Sequence, residues 1–559
     1  VVGLACFLVV SRVVVRGALT GLLGEARVFG SELPAGVDLA SFPELTGVAI
    51  TADRPLTGAG QAVVDHWAEG EFLGWSEAGK VTMTRTLLAK LLKGREIKEV
   101  NEYLLAARPY AGSGSSYTLR PRADYDFAEI VLAGILFLFG DRPEILWPET
   151  AAHIQDVLLI ERGYRIRWTV PGSLGTVRET ENHILMTEGT RALRNRWLIR
   201  SGADRSPGHL RRTDMHARGL AGFVSELDRC GLYEFNSQPY SGYTLTALVV
   251  IHAFAGEPEL VSVCQRLLDR LSYQFALSSM GLRRVVPFRR HLVRAHRTGV
   301  YEDPMSAAML VWCGDASVRG SVEGRSNLHH AMVPAAMPYR PGGLVTEWVN
   351  GIRSSPLPNG GEGLVLIGRG RRASPEIHWR GNGYMISAGG VSWGRRSSIV
   401  ARPTVLIKDD GVTDIRGMLR IEGEGECTTW NNTGVHRDLA VGKGTLVVPD
   451  GWSAAAESED WGVYSLGGDG GGWILTYSDR GLALFTVVPD GAEAADVLVR
   501  RVQAANRPAD LIAGRLVAPD GTAFGYDVNA SRGTWVLSTV NGTALDRDCR
   551  AWPRLRVVE

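Results

Sequence analysis

Residues 354–372, SSPLPNGGEGLVLIGRGRR, separate two kinds of sequence. Their proline and glycine clusters break helical periodicity. Upstream, from about 55 to 315, apolar residues recur at spacings of three and four. In 82–107 these are Leu87, Leu88, Leu91, Leu92, Ile97, Val100, Leu104 and Leu105, with charges between them. Similar stretches follow at about 125–140, 148–161, 182–199, 216–230, 243–255, 257–278 and 303–314. Short Gly- and Pro-bearing connections such as Gly140-Asp141-Arg142-Pro143 and Gly256-Glu257-Pro258 separate them, which predicts a series of antiparallel helical hairpins. Downstream the text alternates in short runs: GYMISAGG, SSIVARPTVLIKDD, GTLVVPDGW, WGVYSLGG, GWILTYSD, GLALFTVVPD, DVLVRRVQAA and RGTWVLSTVNG. Turn signals at Asp410-Gly411, Asp450-Gly451, Asp490-Gly491, Asp520-Gly521 and Asn541-Gly542 punctuate them, so antiparallel strands in a sandwich or layered sheets are expected.

The boundaries this reading implies are an N-terminal segment over 1–50, a helical domain over 51–340 and an antiparallel β domain over 341–559. With 559 residues, 45% hydrophobic and 22% charged, the composition is that of a globular protein and excludes a disordered or collagen-like chain. Lys+Arg is 61 against Asp+Glu 60, a net charge of +1, which argues against nucleic acid as the partner. The counts of Gly (67) and Trp (15) suit tight turns and the aromatic platforms used in carbohydrate binding.

Residues 1–10, VVGLACFLVV, are too short an apolar run to span a membrane and read either as the remnant of a signal or anchor, or as a buried helix. The stretch 127–140 carries Glu129 and reads as a buried helix rather than a membrane span. Cysteines stand at 6, 230, 264, 313, 427 and 549 with no paired short spacing, so no structural zinc is expected. Cys230 and Cys264 are either a disulfide or two buried thiols.

Four segments carry candidate chemistry. In 178–198, RETENHILMTEGTRALRNRWL, Thr180 is placed to cap a helix, and Glu181, Asn182 and His183 crowd its first turn. In 231–255, Glu234, Asn236, Ser237, Tyr240 and Tyr243 surround Pro239 ahead of a strongly apolar helix; Glu234 and Asn236 show no structural task in the sequence. In 108–127, Arg120, Arg122, Asp124 and Asp126 precede a buried helix, the acids serving as cap and first-turn charge or as a general acid. Residues 281–300, GLRRVVPFRRHLVRAHRTGV, hold six arginines and no acid, which reads as a solvated face, a network of buried pairs, or a cleft for an anionic polymer. His329-His330 lack a third ligand at useful spacing, and neither a metal nor another cofactor is called for. The glycines of 467–473, GGDGGGW, read as a hairpin, and Asn431 and Asn529 begin glycosylation triplets.

This pattern, with ENHILMTEGTRAL at 181–193, YEFNSQPYSGYTLTAL at 233–248 and GYMISAGG at 383–390, resembles the toroid-plus-sandwich polysaccharide lyases, the alginate lyase and heparinase II/III group. The resemblance covers most of the chain in architecture and only short stretches in motif. It implies an incomplete α/α toroid followed by a β-sandwich. It also implies a secreted, periplasmic or cell-surface enzyme acting on an acidic, uronate-containing polysaccharide by β-elimination. Asn182-His183 is similar to the group's Asn-His pair, and Tyr240 to its catalytic tyrosine, with Tyr243 the competing assignment. On that likeness Asn182, with an arginine such as Arg120, neutralises the uronate carboxylate; His183 or Tyr240 takes the C5 proton, and Tyr240 protonates the leaving oxygen. Asp126, Glu181, Glu234, Asn236 and Tyr243 join Arg120 as substrate-binding candidates. Glu181 and Glu234 lie outside the lyase pattern. Together with Asp126 they leave open a glycoside hydrolase using paired carboxylates, and a non-catalytic glycan-binding protein is the third reading. The β domain offers His378, Tyr384 and His436 as further donors.

Overall fold

The computed structural model describes residues 56–75, 79–109, 124–170, 173–238, 240–290, 292–314, 327–350, 363–367, 375–390, 399–467, 471–530, 534–545 and 556–558. The N-terminal segment 1–50, Arg120, Arg122, Pro239, Cys6 and Cys549 lie outside them. Helices come first and antiparallel sheets follow. Among the described residues the first part holds α1 (Gly58–Ala68), α2 (Gly79–Lys93), α3 (Ile97–Ala106), α4 (Asp126–Phe139), α5 (Pro148–His153), α6 (Glu181–Arg200), α7 (Pro207–Cys230), α8 (Tyr240–Phe254), α9 (Pro258–Leu277), α10 (Pro304–Cys313), α11 (Met332–Ala336) and α12 (Gly343–Asn350).

Two kinds of helix alternate here, and composition decides which is which. In α4, all residues but Leu138 are buried, and α8 and α10 are apolar almost all round, so these helices have no face to offer water. In α7 and α9 the apolar residues form one stripe and charges the other face, so they pack outside: α7 lies against α6 and α9, and α9 against α8. The inner helices α4, α6 and α8 pack on one another. Gly189 permits the closest of these approaches, since a Cβ there would lie 2.7 Å from Ile251 Cδ1. Glu129, one of two buried acids in the first turn of α4, is satisfied by the backbone N–H groups of Ile160 (2.6 Å) and Glu161 (3.1 Å), as a buried carboxyl requires. The break in 82–107 falls at Gly94, whose φ of 64° ends α2.

In the β part, a seven-stranded antiparallel sheet has β2 (Gly363–Ile367), β3 (Glu376–Gly381), β4 (Tyr384–Gly389), β6 (Thr404–Lys408), β7 (Arg420–Glu422), β10 (Thr445–Val447) and β19 (Arg556–Val558) in the order β10-β7-β6-β4-β3-β2-β19. A six-stranded sheet holds β8 (Val435–His436), β9 (Leu439–Lys443), β11 (Ala456–Ser458), β12 (Trp461–Ser465), β13 (Trp473–Asp479) and β14 (Leu482–Val488), ordered β11-β12-β13-β14-β9-β8. Alternation along β4 fixes the layering. Tyr384, Ile386 and Ala388 join one core with Ile474, Ala483 and Phe485 of the six-stranded sheet, while Met385 turns the other way onto Met280, Val285 and Val300 of the helical part. A four-stranded sheet of β15 (Arg515–Val517), β16 (Ala523–Tyr526), β17 (Leu537–Val540) and β18 (Thr543–Ala544) contributes with the outer face of the six-stranded sheet to a further core. The remaining pair joins β1 (Phe288–Arg289), from the end of the helical part, to β5 (Ile399–Val400).

One expected strand is a helix. Residues 495–505, which include DVLVRRVQAA, form α13 (Ala495–Ala505), because Leu498, Val499 and Val502 share one buried helical face instead of alternating. A short α14 (Pro508–Ile512) follows it. The hairpin expected around GGDGGGW stands, with Ser465 opposite Trp473. Cys230 and Cys264 are not paired with each other; both are buried free thiols. Among the described residues no helix is long and apolar enough to cross a membrane.

Candidate active site

The N-termini of α4, α6 and α8 meet at one place, and the side chains that tie them together are those of their first turns. Asp126, the first residue of α4, takes a hydrogen bond from Nδ1–H of His183 in the first turn of α6, 2.7 Å to Oδ2. Phe127 lies edge-on to His183 (5.4 Å between ring centres) and to Tyr243 of α8 (4.3 Å). Glu181 Oε1 accepts the backbone N–H of Glu234 at 2.7 Å, which fastens the loop before α8 to the start of α6. Glu234 in turn pairs with Arg290, whose guanidinium stands 4.9 Å from the centre of the Tyr240 ring. Three helix N-termini, each a positive dipole end, thus meet in one region. Such a region is prepared to receive negative charge.

The pair Asp126–His183 sets the local electrostatics. Burial disfavours a charged imidazole, but the Asp126 carboxylate and its hydrogen bond, helped by Glu179 and Asp124, outweigh this and raise the His183 pKa to about 9. His183 is therefore a cation at neutral pH. Its side chain keeps 22% of its surface open to solvent. Glu181 and Glu234 are closed off, at 4% and 1% exposure. Burial raises both, and the neighbouring Glu181 helps push Glu234 up to about 7 against the pull of Arg290.

Asn182 is fully buried. Its Oδ1 accepts the Thr180 hydroxyl, and among the described residues its Nδ2 has no partner. Thr180 precedes α6 but does not cap it with its side chain, since that hydroxyl is spent on Asn182. Asn236 is drawn away from the cluster into the junction of the two parts. With φ of 51°, its Nδ2 donates to Pro287 O (3.0 Å) and Glu376 Oε1 (2.8 Å), and its Oδ1 accepts from Arg284. The absence of a structural task for Glu234 and Asn236 in the sequence is thereby corrected: an ion pair to Arg290 holds the first, an inter-domain hydrogen-bond network the second.

The arginine run 281–300 is mostly a set of junction pairs. Arg283 reaches Lys408 O (2.6 Å) and Asp410, and Arg284 binds Asp303 (2.6 Å) and Glu376 (3.3 Å); Arg289 stands 4.0 Å from the centre of the Tyr233 ring, Arg290 bears on Tyr240, and Arg294 on Tyr240 and Tyr243. Of the β-domain donors, His378 is sealed between Ser387 (3.0 Å) and Glu376 (3.5 Å), Tyr384 donates to Asp438, and His436 packs near Phe524. The amide nitrogen of Asn431 is bonded to Thr534 O at 2.8 Å.

From the sequence, His329 and His330 were weighed only as metal ligands and Arg85 was not named. His329 and His330 lie beside Tyr243, their ring centres 6.3 and 4.9 Å from its own, and Arg85 of α2 donates to the His329 carbonyl at 2.5 Å. Nothing in their local sequence signals this, because the contact spans more than 80 residues. For a metal ion, Asp124, Asp126 and His183 offer donor atoms within 4.8 Å of one another, the one such group among the described residues. Two of those donors already serve each other in the hydrogen bond between Asp126 and His183.

Compared with protein-family models, with curated proteins and with solved structures, the chain finds no match.

Proposed function

We propose that the protein is a polysaccharide lyase that cleaves an acidic, uronate-containing polymer by β-elimination. The observation that carries this is the Asp126–His183 pair, which presents a cation at the meeting point of three helix N-termini. The C5 proton of a uronate becomes acidic only when the charge of its carboxylate is neutralised. An imidazolium with oriented N–H dipoles supplies that neutralisation and holds the enolate-like intermediate. Asn182, the resemblance's partner for the uronate carboxylate, is fully buried here and does not reach the substrate unless the start of α6 opens.

A protonated His183 has no lone pair to act as base, which leaves Tyr240. In the proposed step Tyr240 enters as the phenolate, and its oxygen takes the C5 proton. The electron pair forms the C4–C5 double bond, the bond from C4 to the glycosidic oxygen breaks, and Tyr240 returns the proton to that oxygen. The Arg290 cation over its ring stabilises negative charge on the phenol oxygen during the transfer. The two classes of helix support an α/α toroid, and the core shared by the seven- and six-stranded sheets supports a sandwich.

One observation favours hydrolysis instead: Glu234 is held up at about 7, in the range of a general acid. Its 1% exposure and its bond to Arg290 weigh against that role, as does the commitment of Glu181 to a backbone N–H. Variants separate the two. Elimination requires that Tyr240→Phe lose turnover by at least about a thousandfold while Glu234→Gln stays within about tenfold. The reverse order establishes hydrolysis.

A further inference from the structure

Just ahead of α6 the chain forms an arm that the elimination does not use. Residues 168–170 and 177–179 run antiparallel. The Val170 N–H donates to Val177 O and the Glu179 N–H to Trp168 O, both at 2.9 Å, and Thr169 stands opposite Arg178. A buried ion network fixes the root of the arm. Glu188 of α6, fully buried, accepts the Arg167 backbone N–H and His216 Nε2–H, each at 2.9 Å. It also pairs with Arg191, which donates to Arg165 O at 2.7 Å. Ile166 packs over Gly219 of α7, where a Cβ would stand 2.7 Å from its Cδ1.

This framework holds a large aromatic ring in the open. Trp168 is 41% exposed, and Val177, which points to the same side of the antiparallel pair, is 40% exposed. Trp168 packs edge-on to Phe223 of α7, with 5.4 Å between ring centres. The register of α6 against α7 shows where that lies. His209 meets Asn195 O at 2.9 Å and His216 meets Glu188, so the step from His209 to His216 matches that from Asn195 to Glu188. The same step again brings Phe223 level with Glu181, in the turn of α6 that bears His183. Trp168, lying on Phe223 and bonded through its carbonyl to Glu179, therefore stands at the rim of the proposed catalytic region.

The chemistry of this rim suits a sugar. The face of an indole is negative and attracts the C–H groups on the apolar side of a pyranose ring, and its two torsions cost little to fix. Exposed Arg165 and Arg178 flank it with positive charge that an acidic chain would meet. We propose that Trp168 is a stacking platform for a sugar of the same polymer outside the one that reacts. The proposal rests on the lyase reading for the nature of the polymer, and adds a subsite that grips the uncharged face of a sugar rather than its acid.

The test titrates oligomannuronates and heparosan oligosaccharides of two, four and six sugars calorimetrically into the Tyr240→Phe protein, which keeps the ligand intact. Affinity is expected to rise with length. Adding Trp168→Ala should lower the six-sugar affinity about tenfold or more for whichever polymer binds, and Trp168→Phe should restore most of it. With Tyr240 present, Trp168→Ala should raise KM about tenfold and leave kcat within about threefold, the signature of a sugar held equally before and during reaction. A six-sugar affinity unchanged in Trp168→Ala, or no binding of any of these ligands, overturns the proposal. So does loss of binding to phosphatidylglycerol vesicles in Trp168→Ala with glycan affinity intact, which would make the arm a membrane contact. The two readings fail separately: Trp168-dependent binding without any cleavage by the wild type refutes elimination and leaves the platform, while cleavage with binding indifferent to Trp168 does the reverse.

Discussion

Replacing Asp126 by Asn removes the charge that keeps His183 protonated while leaving a side chain of the same shape. With Asp126 in place the His183 pKa is about 9. At about pH 7.5 roughly 97% of molecules then carry the imidazolium. Without the carboxylate, burial acts against the charge with only Glu179 and Asp124 opposing it, and the pKa returns to about 6.5 or below. The protonated fraction falls to about 10%, so turnover at about pH 7.5 should drop at least about tenfold and recover on acidification toward about pH 5.5. In the wild type, turnover should be lost as the pH rises through 9. The stability effect has the same sign: the folded pKa lies above the unfolded value, so the stabilisation is complete below about 6.5 and is lost as pH rises through 9. At about 1.4 kcal/mol per tenfold change in proton affinity, it amounts to at most about 3 kcal/mol. The assay is an NMR titration of the His183 ring, with kcat/KM profiles and urea unfolding at several pH values. A variant whose His183 still titrates near 9, or whose turnover at about pH 7.5 equals that of the wild type, refutes the reasoning.

Three further outcomes follow from the geometry. Asn236→Ala deprives the buried Glu376 of a donor and places alanine at φ 51°, so unfolding should become easier by about 2–4 kcal/mol with the reaction type unchanged, measured by denaturant titration. Gly242→Ala puts a Cβ 2.2 Å from His330 Nδ1, so the ring must move and Tyr243 with it; a loss of about 1–3 kcal/mol is expected by thermal unfolding. Burial holds Glu234 at about 7, above its ordinary 4.5, so its contribution to stability is present below about 4.5 and lost as pH rises through 7. Glu234→Gln should flatten that decline in a pH series of unfolding curves.

The order of helices and then strands was legible because period 3.6 and period 2 are written locally, as the one apolar stripe of α9 and the alternation of β4 between two cores illustrate. DVLVRRVQAA was misread because its apolar residues satisfy both periods over a short window, and packing against the six-stranded sheet decides between them. The candidate residues at 126, 181, 183, 234, 240 and 243 could be found in the sequence because each lies in or just before the first turn of an inner helix. What they do there was not legible. That Asp126 charges His183, that Glu181 holds a backbone N–H, and that Asn236 belongs to a junction all depend on partners more than 50 residues away. Arg85 carried no signal, and His329-His330 read only as a metal pair without a third ligand, since their meeting with Arg85 depends on how α2 packs against the turn before α11.

The most direct test of elimination is to incubate the wild-type protein with uronate polysaccharides and neutral glucans, following the ultraviolet absorbance of unsaturated uronate and the appearance of reducing ends together. The account predicts that both signals rise in step on a uronate polymer, and that both vanish in the Tyr240→Phe protein. Reducing ends without absorbance would contradict it.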